Sequence, residues 1–276
     1  MNKFKSVSRT EALKKMMKFR SEHHPKFSNL YSIEGDETMD ILQYNASLVI
    51  FKNHRNFRRI YFMTNDLCDL EIILRNLEDD LVVNVPYKKP VLQIENTIKN
   101  TGFLQLAIYK RLYNKEILKG LNVLDKLANK DEDLKAKGYE LAIYPHLGDA
   151  EAILQLLQEN FSEYTDYIPS KKLLEDIIKN KEIVINKNPS GKIVGFIIFK
   201  ITGVKCYQNF WLDKEGLGLY LMKFLYRLMD DSGILVTNFW VNSVNTNVLK
   251  IHSWLGAKEE GTYDVTFLKS KNKKNL

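Results

Sequence analysis

Residues 209–229, NFWLDKEGLGLYLMKFLYRLM, contain the clearest structural signal in the chain. A predicted strand runs up to Asp213, and a turn with Gly216 and Gly218 leads directly into a predicted helix. Apolar residues at helical spacing mark the buried face of that helix: Leu217, Leu221, Phe224, Leu225 and Leu228. A strand that passes through a glycine turn into a helix indicates a domain in which helices pack on a β-sheet.

The glycine turn is also suited to holding an anion. The first turn of a helix has unpaired backbone N–H groups and the positive end of the helix dipole. Glycine lets a phosphate approach those groups closely, so the turn predicts a pyrophosphate cradle. Taken alone, Gly-x-Gly before a helix more often marks a tight turn with close helix–strand packing. The choice between these interpretations depends on the rest of the sequence.

The region around this turn, residues 138–270, alternates strands and helices. The predicted order is a strand, two helices, three strands, a helix, a strand, a helix and a strand. Asp149 and Ser170 are predicted N-caps of the first two helices. Meandering strands followed by crossover helices predict a mixed α/β (α+β) domain with a mixed sheet packed between helices.

Two motifs in this region carry a family resemblance. DKEGLG, residues 213–218, is followed one strand later by NTNVLKIHSWLGA, residues 245–257. Residues 139–269 thereby resemble the GNAT superfamily of acyl-CoA-dependent N-acyltransferases. That family's pyrophosphate loop reads Gln/Arg-x-x-Gly-x-Gly/Ala, and its later helix reads Asn-x-x-Ala-x-x-x-Tyr-x-x-x-Gly-Phe. The matching positions of the later helix are Asn245, Val248, His252, Gly256 and Ala257.

The resemblance implies a set of functional residues. Acetyl-CoA, or another acyl-CoA, is the expected co-substrate, its pantetheine arm lies along the strand before the loop, and no metal is expected. The implied cofactor-binding residues are Phe210, Trp211, Leu212, Lys214, Glu215, Gly216, Leu217, Gly218, Leu219 and Asn245. The candidate catalytic acids are His252 and Tyr263.

Simpler interpretations of these residues stay open. Asn245 either contacts the cofactor or caps the following helix, and His252 is either catalytic or an ordinary surface or helix-packing histidine. The aromatic rings near the loop are also typical of sheet core. No general base is assigned, because Asp213, Glu163 and a chain of water molecules are all alternatives.

Three departures from the family pattern affect the expected site. Asp213 replaces the family's Gln or Arg and places a negative charge at the phosphate site, where Lys214 is expected to offset it. His252 stands in place of tyrosine. After Gly256 only one good strand is predicted, residues 263–269, where the family usually has two.

The first half of the chain repeats the order of elements in weaker form. The charged stretch between residues 115 and 138 predicts a division into domains at residues 1–128 and 138–270, with a solvated linker. In the first half, the equivalent of the glycine loop is residues 65–69, which have no glycine and two carboxylates, so no CoA is expected there. We interpret the chain as two acyltransferase-like modules in tandem, of which the first is degenerate. The alternative for the first half is an unrelated α/β scaffold.

Composition limits the remaining possibilities. The 41 basic and 34 acidic residues give a net charge of +7, which suits an anionic ligand but is too diffuse to indicate nucleic acid. Two distant cysteines and the absence of an apolar signal or spanning segment favour a cytoplasmic protein without membrane attachment. The family resemblance implies N-acetyl transfer to a small-molecule amine, and a monomer or homodimer is expected. Transfer of a larger acyl or aminoacyl group, and a non-catalytic acyl-CoA-binding or structural module, are the alternatives.

Overall fold

The computed structural model describes residues 4–30, 38–54, 56–89 and 92–271. Contacts divide the chain into two compact units. The first unit comprises the described parts of residues 1–108 and 262–276, and the second unit comprises residues 109–261. No helix within the described residues is long and apolar enough to cross a lipid bilayer.

The first part of the chain forms a meander of strands followed by alternating helices and strands. Its elements are β1 (Lys5–Val7), α1 (Arg9–His23), β2 (Phe27–Ser28), β3 (Met39–Tyr44), β4 (Ser47–Asn53), β5 (Arg58–Thr64), α2 (Leu67–Arg75), β6 (Leu81–Tyr87), α3 (Leu92–Asn100) and β7 (Leu104–Asn114).

The second part of the chain has a similar order, with more helices before the meander. Its elements are α4 (Ile117–Leu127), α5 (Asp131–Ala136), β8 (Glu140–Ile143), α6 (Ala150–Asn160), α7 (Lys171–Lys179), β9 (Ile183–Lys187), β10 (Ile193–Thr202), β11 (Lys205–Asp213), α8 (Gly218–Asp231), β12 (Val236–Asn242), α9 (Thr246–Trp254) and β13 (Lys258–Lys269). A short 3-10 turn, Leu147–Asp149, precedes α6. The stretch predicted as a solvated linker contains α5, which buries none of its residues.

The two units have the same strand topology. In the first, β3, β4 and β5 form an antiparallel meander, β5 pairs in parallel with β6, and β6 pairs antiparallel with β13. In the second, β9, β10 and β11 form the meander, β11 pairs in parallel with β12, and β12 pairs antiparallel with β7. Mixed sheets and an internal repeat are therefore both present, as the sequence predicts.

The closing strands of the two halves are exchanged within the chain. Residues 109–114 of β7 pair with β12 of the second unit, whereas residues 263–269 of β13 pair with β6 of the first unit. The sequence predicts only one strand after Gly256, where the family usually has two. The strand that pairs with β12 is β7, which comes from the first half of the chain. Gly261, whose φ of 77° favours glycine, lies where β13 passes from one unit to the other.

The exchange explains why the units differ from the domains predicted at residues 1–128 and 138–270. The helix α4 also belongs to the second unit, because its apolar face packs on α8. That shared core contains Ile117, Leu121, Leu124, Leu221, Leu225 and Tyr226. The division into compact units lies between residues 108 and 109, inside β7.

Candidate functional site

A gap opens between two parallel strands of the second unit. The β11–β12 pairing runs from Lys205 opposite Val236 to Gln208 opposite Phe239, and then stops. Beyond it β11 stays paired with β10 up to Asp213, and β12 stays paired with β7 up to Asn242. The two strands therefore separate towards their carboxyl ends.

A β-bulge lies at the start of the gap. Ile198 pairs with Phe210 and Phe199 pairs with Gln208, so Asn209 is an extra residue on β11. A bulge bends its strand and increases the local twist, which turns the rest of β11 away from β12. The backbone edge of residues 210–213 that faces the gap has no strand partner among the described residues. Such an edge can pair with an extended, amide-bearing ligand.

The glycine loop lies directly after this unpaired edge. Gly216 has a φ of 75°, and nothing lies within 4 Å of the position where its Cβ would be. A Cβ on Gly218 would lie 2.9 Å from Asp213 Cβ and 3.0 Å from Trp211 Cζ2. The two glycines thus serve a left-handed turn and a close approach of α8 to β11, and the loop amides are left accessible at Gly216.

Asp213 already uses part of that loop. Its Oδ1 accepts hydrogen bonds from Glu215 N at 3.2 Å and from Leu217 N at 2.9 Å. Lys214 was expected to offset this charge; its Nζ instead lies 3.5 Å from Glu159 Oε2. That expectation is wrong, because Lys214 extends from the loop towards the end of α6.

The floor of the gap is aromatic and holds His252. The imidazole ring centre lies 4.0 Å from that of Phe239 on β12 and 5.6 Å from that of Trp211 on β11. Burial lowers the pKa of His252 to about 3, so the ring is neutral at physiological pH. His252 Nδ1 and Trp211 Nε1 are buried without a hydrogen-bond partner in the described structure. Buried polar atoms are nearly always satisfied, so these two mark a place for a ligand or an ordered water.

The opposite face of β11 forms core. Phe210 and Leu212 pack on the cluster beneath α6 and α7, where Phe161 contacts Phe210 edge-on at 5.1 Å between ring centres. The alternative of sheet core therefore applies to these side chains, while their backbone forms the edge of the gap.

The other predicted site residues are not gathered at one place. Asn245 Oδ1 accepts a hydrogen bond from Val248 N at 3.2 Å and so caps α9, which supports the structural alternative for this residue. Tyr263 belongs to the first unit, where its ring lies 5.7 Å from that of Tyr87. Leu219 follows Gly218 in the first turn of α8.

A polar cluster at the open end of the gap was missed by sequence reasoning. Tyr109 lies opposite Asn242, and its hydroxyl is 3.1 Å from both Asp166 Oδ1 and Thr165 Oγ1. Burial raises the pKa of Tyr109 to about 12, so it remains a hydrogen-bond donor. Because Tyr109 comes from the exchanged strand β7, no motif of the second half could have revealed it.

Comparisons with known proteins place the fold. No protein-family model matches the chain, and no curated protein sequence matches it. A GCN5-related N-acetyltransferase from Sphaerobacter thermophilus superposes with a TM-score of 0.56 at 14% identity, over 82% of this chain and 77% of that one. A tandem GNAT protein from the clavulanic acid biosynthesis pathway gives 0.52 at 11% identity, over 99% and 100%. A GNAT-family acetyltransferase from Colwellia psychrerythraea gives 0.52 at 12% identity, over 98% and 100%.

These neighbours confirm the predicted fold class. The tandem GNAT neighbour covers 99% of this chain and matches two GNAT-like modules, and the predicted resemblance of the second half to the GNAT superfamily is confirmed at the level of fold. No group of three or more His, Cys, Asp or Glu side chains that could hold a metal occurs in the part of the chain that the structure describes.

Proposed function

From this tandem GNAT fold we propose that the second unit is an acyl-CoA-dependent N-acyltransferase, with acetyl-CoA as the preferred donor and a small-molecule amine as acceptor. The observation that supports it most is the gap between β11 and β12, which ends at the glycine loop. A strand edge and a helix start in this order match the two parts of CoA, an amide-rich arm and a diphosphate.

The residues of the gap have distinct roles in this proposal. The edge of Phe210–Leu212 pairs with the amides of the pantetheine arm, and the backbone from Gly216 to Leu219 faces the diphosphate. Transfer is direct: the neutral amine nitrogen bonds to the thioester carbonyl carbon, the C–S bond breaks, and the nitrogen loses a proton to the departing thiolate, which leaves as the free thiol. A backbone N–H near Leu212 stabilises the oxyanion that forms on the carbonyl oxygen.

The proton chemistry of His252 follows from its burial. With a pKa near 3, the ring holds no spare proton at neutral pH, so it acts as a neutral hydrogen-bonding group instead of a resident acid. Thiolate is a tolerable leaving group because the pKa of a thiol is only about 8.5. The acceptor amine enters beside the cluster of Tyr109 and Asp166.

A second candidate function is a non-catalytic acyl-CoA-binding or structural module. One observation favours it: Asp213 already satisfies two of the amides that a diphosphate would use. The two functions differ in turnover, so release of free thiol from acetyl-CoA in the presence of amines separates them.

The test has a binding step and a turnover step. A ligand of the native state raises the unfolding temperature by mass action, so saturating acetyl-CoA should stabilise the protein. Free thiol should then appear with at least one member of a panel of amino sugars, amino acids and other small amines. The proposal fails if no CoA ester changes the unfolding temperature, and catalysis fails if binding occurs with no thiol release on any amine.

Gly218→Ala locates the binding in this loop. The added methyl meets Asp213 and Trp211 at 2.9–3.0 Å, so we expect acetyl-CoA affinity to fall at least about tenfold. Gly148→Ala is the matched control, because nothing lies within 4 Å of its added methyl. Equal affinities of the two variants in calorimetric titration would place the donor elsewhere.

A further inference from the structure

The carboxylate of Asp213 lies against the glycine loop at the start of α8. One oxygen accepts hydrogen bonds from the N–H groups of Glu215 and Leu217, at 3.2 and 2.9 Å. The other lies 3.0 Å from the Cβ position of Gly218, the first residue of α8. Asp213 therefore accepts the hydrogen bonds of two loop N–H groups and also fills space at the start of this helix.

No cation balances this charge in the described structure. Lys214, the nearest basic residue in sequence, is paired with Glu159, and no described ion pair includes Asp213. Glu215 adds a second carboxylate to the loop, and its one side-chain partner among the described residues is the neutral Asn188, which donates a hydrogen bond to it. An incoming diphosphate would thus meet like charge in addition to occupied amides.

A second, independent feature indicates that a ligand binds beside this loop. Trp211 Nε1 and His252 Nδ1 are buried without partners on the floor of the adjoining gap, and His252 is only 3% exposed. The Trp211 ring that carries one of these atoms lies 3.0 Å from the Cβ position of Gly218. The occupied loop and the unsatisfied atoms of the floor are therefore neighbours.

We propose that Asp213 is an internal anion that competes with the diphosphate of the acyl donor and so sets the donor affinity of the second unit. This inference rests on the proposed function. A donor binds when the Asp213 carboxylate releases the N–H groups of Glu215 and Leu217. The free energy needed for that release weakens the binding of the donor.

The test is Asp213→Asn, measured with two donors. Asparagine keeps the size and the accepting oxygen of aspartate but removes the charge. Acetyl-CoA should bind about tenfold more tightly to the variant, since one like charge near the diphosphate is removed. Acetyl-pantetheine has the same thioester arm without a diphosphate, and its affinity should change by less than about twofold.

Asp66→Asn is the matched control. Asp66 occupies the equivalent loop of the first unit and accepts a hydrogen bond from Cys68 N at 2.8 Å as the N-cap of α2. The Asp66→Asn variant makes the same chemical change in the same kind of turn, and it should leave the affinities for acetyl-CoA and acetyl-pantetheine unchanged. Asp213→Ala serves as a second variant, because it frees both loop amides and should bind acetyl-CoA at least as tightly as Asp213→Asn.

Each outcome decides a different point. Tighter binding of acetyl-CoA alone supports the competition. Equal tightening of both donors, unchanged affinity, or weaker acetyl-CoA binding by both variants overturns the inference while leaving the proposed function in place. If neither the unaltered protein nor any variant binds either donor, the proposed function is overturned and the inference with it.

Discussion

The two units differ most at the place where their parallel strands separate. In the first unit, pairing of β5 with β6 ends at Ile60 and Val83. There β2 adds to the free edge of β5, and Asn29 donates hydrogen bonds to Ile60 O at 3.0 Å and Asn84 O at 2.8 Å. In the second unit, no described segment enters the equivalent gap.

This difference between the two gaps shows that the shared topology leaves backbone groups that need hydrogen-bond partners. Separating strands leave backbone groups without partners, and these groups must be satisfied by protein or by something bound. The first unit uses its own chain, and Asn29 Oδ1 also accepts from Phe62 N at 2.6 Å. The second unit leaves the edge of residues 210–213 unpaired. Its gap therefore suits a ligand, and the gap of the first unit does not.

The largest expected effect comes from removing the internal partner in the first unit. Asn29→Ala leaves the carbonyls of Ile60 and Asn84 and the N–H of Phe62 without their partner, and three such buried groups cost about 4 kcal/mol of unfolding free energy in total. Urea unfolding measures this loss, with the exposed Asn96→Ala as control.

The same variant tests whether an opened first gap becomes a second binding site. We expect one acetyl-CoA per chain in titration calorimetry, before and after the change, because the first unit has no glycine loop. A stoichiometry of two for Asn29→Ala would show that Asn29 alone distinguishes the two gaps.

A smaller effect concerns the floors of the two gaps. Four residues before Gly256 stands His252, and four residues before Gly102 stands the fully buried Ile98. His252→Ile therefore places at the floor of the second unit's gap the same apolar side chain that the first unit has at the equivalent position. The pKa of His252 is lowered from the ordinary 6.5 to about 3 in the folded protein, so below pH 6.5 the unfolded chain binds a proton that the folded protein does not. The free energy of unfolding is therefore unaffected by His252 above pH 6.5 and falls as the pH decreases from 6.5 towards 3.

The pH dependence of this difference is the measurement. Between about pH 6 and pH 4, the unaltered protein should lose up to about 1.4 kcal/mol per pH unit relative to His252→Ile in urea unfolding. Other titrating groups, including His54 and Asp264, are common to both proteins and cancel in the comparison. Parallel pH profiles of the two proteins would contradict the buried, neutral state of His252.

The smallest effect separates structure from ligand contact at Asn245. Asn245→Ala removes the cap of α9 and should cost about 1 kcal/mol, whereas Asn245→Ser restores most of it because serine is also a good cap. Acetyl-CoA affinity should stay within about twofold for both. A loss of affinity in Asn245→Ser with stability retained would show that the amide group itself binds the donor.

Much of the second unit could be predicted because its signals are local. The strand predicted to run up to Asp213 is observed as Lys205–Asp213, and the helix predicted after the glycine turn begins at Gly218. Apolar periodicity and turn residues act over a few neighbouring positions, so one sequence suffices to detect them. The cap role of Ser170 is likewise present, because its Oγ accepts from Leu173 N.

The missed features depend on contacts between distant residues. Asn29 meets Asn84, 55 positions away, and nothing in either local sequence indicates the pairing. The exchange of β7 and β13 is equally invisible, since both strands have ordinary strand patterns and either could close either sheet. The depressed pKa of His252 follows from complete burial beside Phe239, which a helical pattern does not predict.

The reciprocal placement of β7 and β13 also bears on the order in which the protein can be completed during synthesis. Every strand of the second unit has been made once residue 261 has left the ribosome. The first unit, although made earlier, lacks its closing strand until residues 262–269 emerge. The first unit thus finishes folding after the second, and its β6 edge stays open to other chains from the synthesis of Leu81–Tyr87 until residues 263–269 emerge.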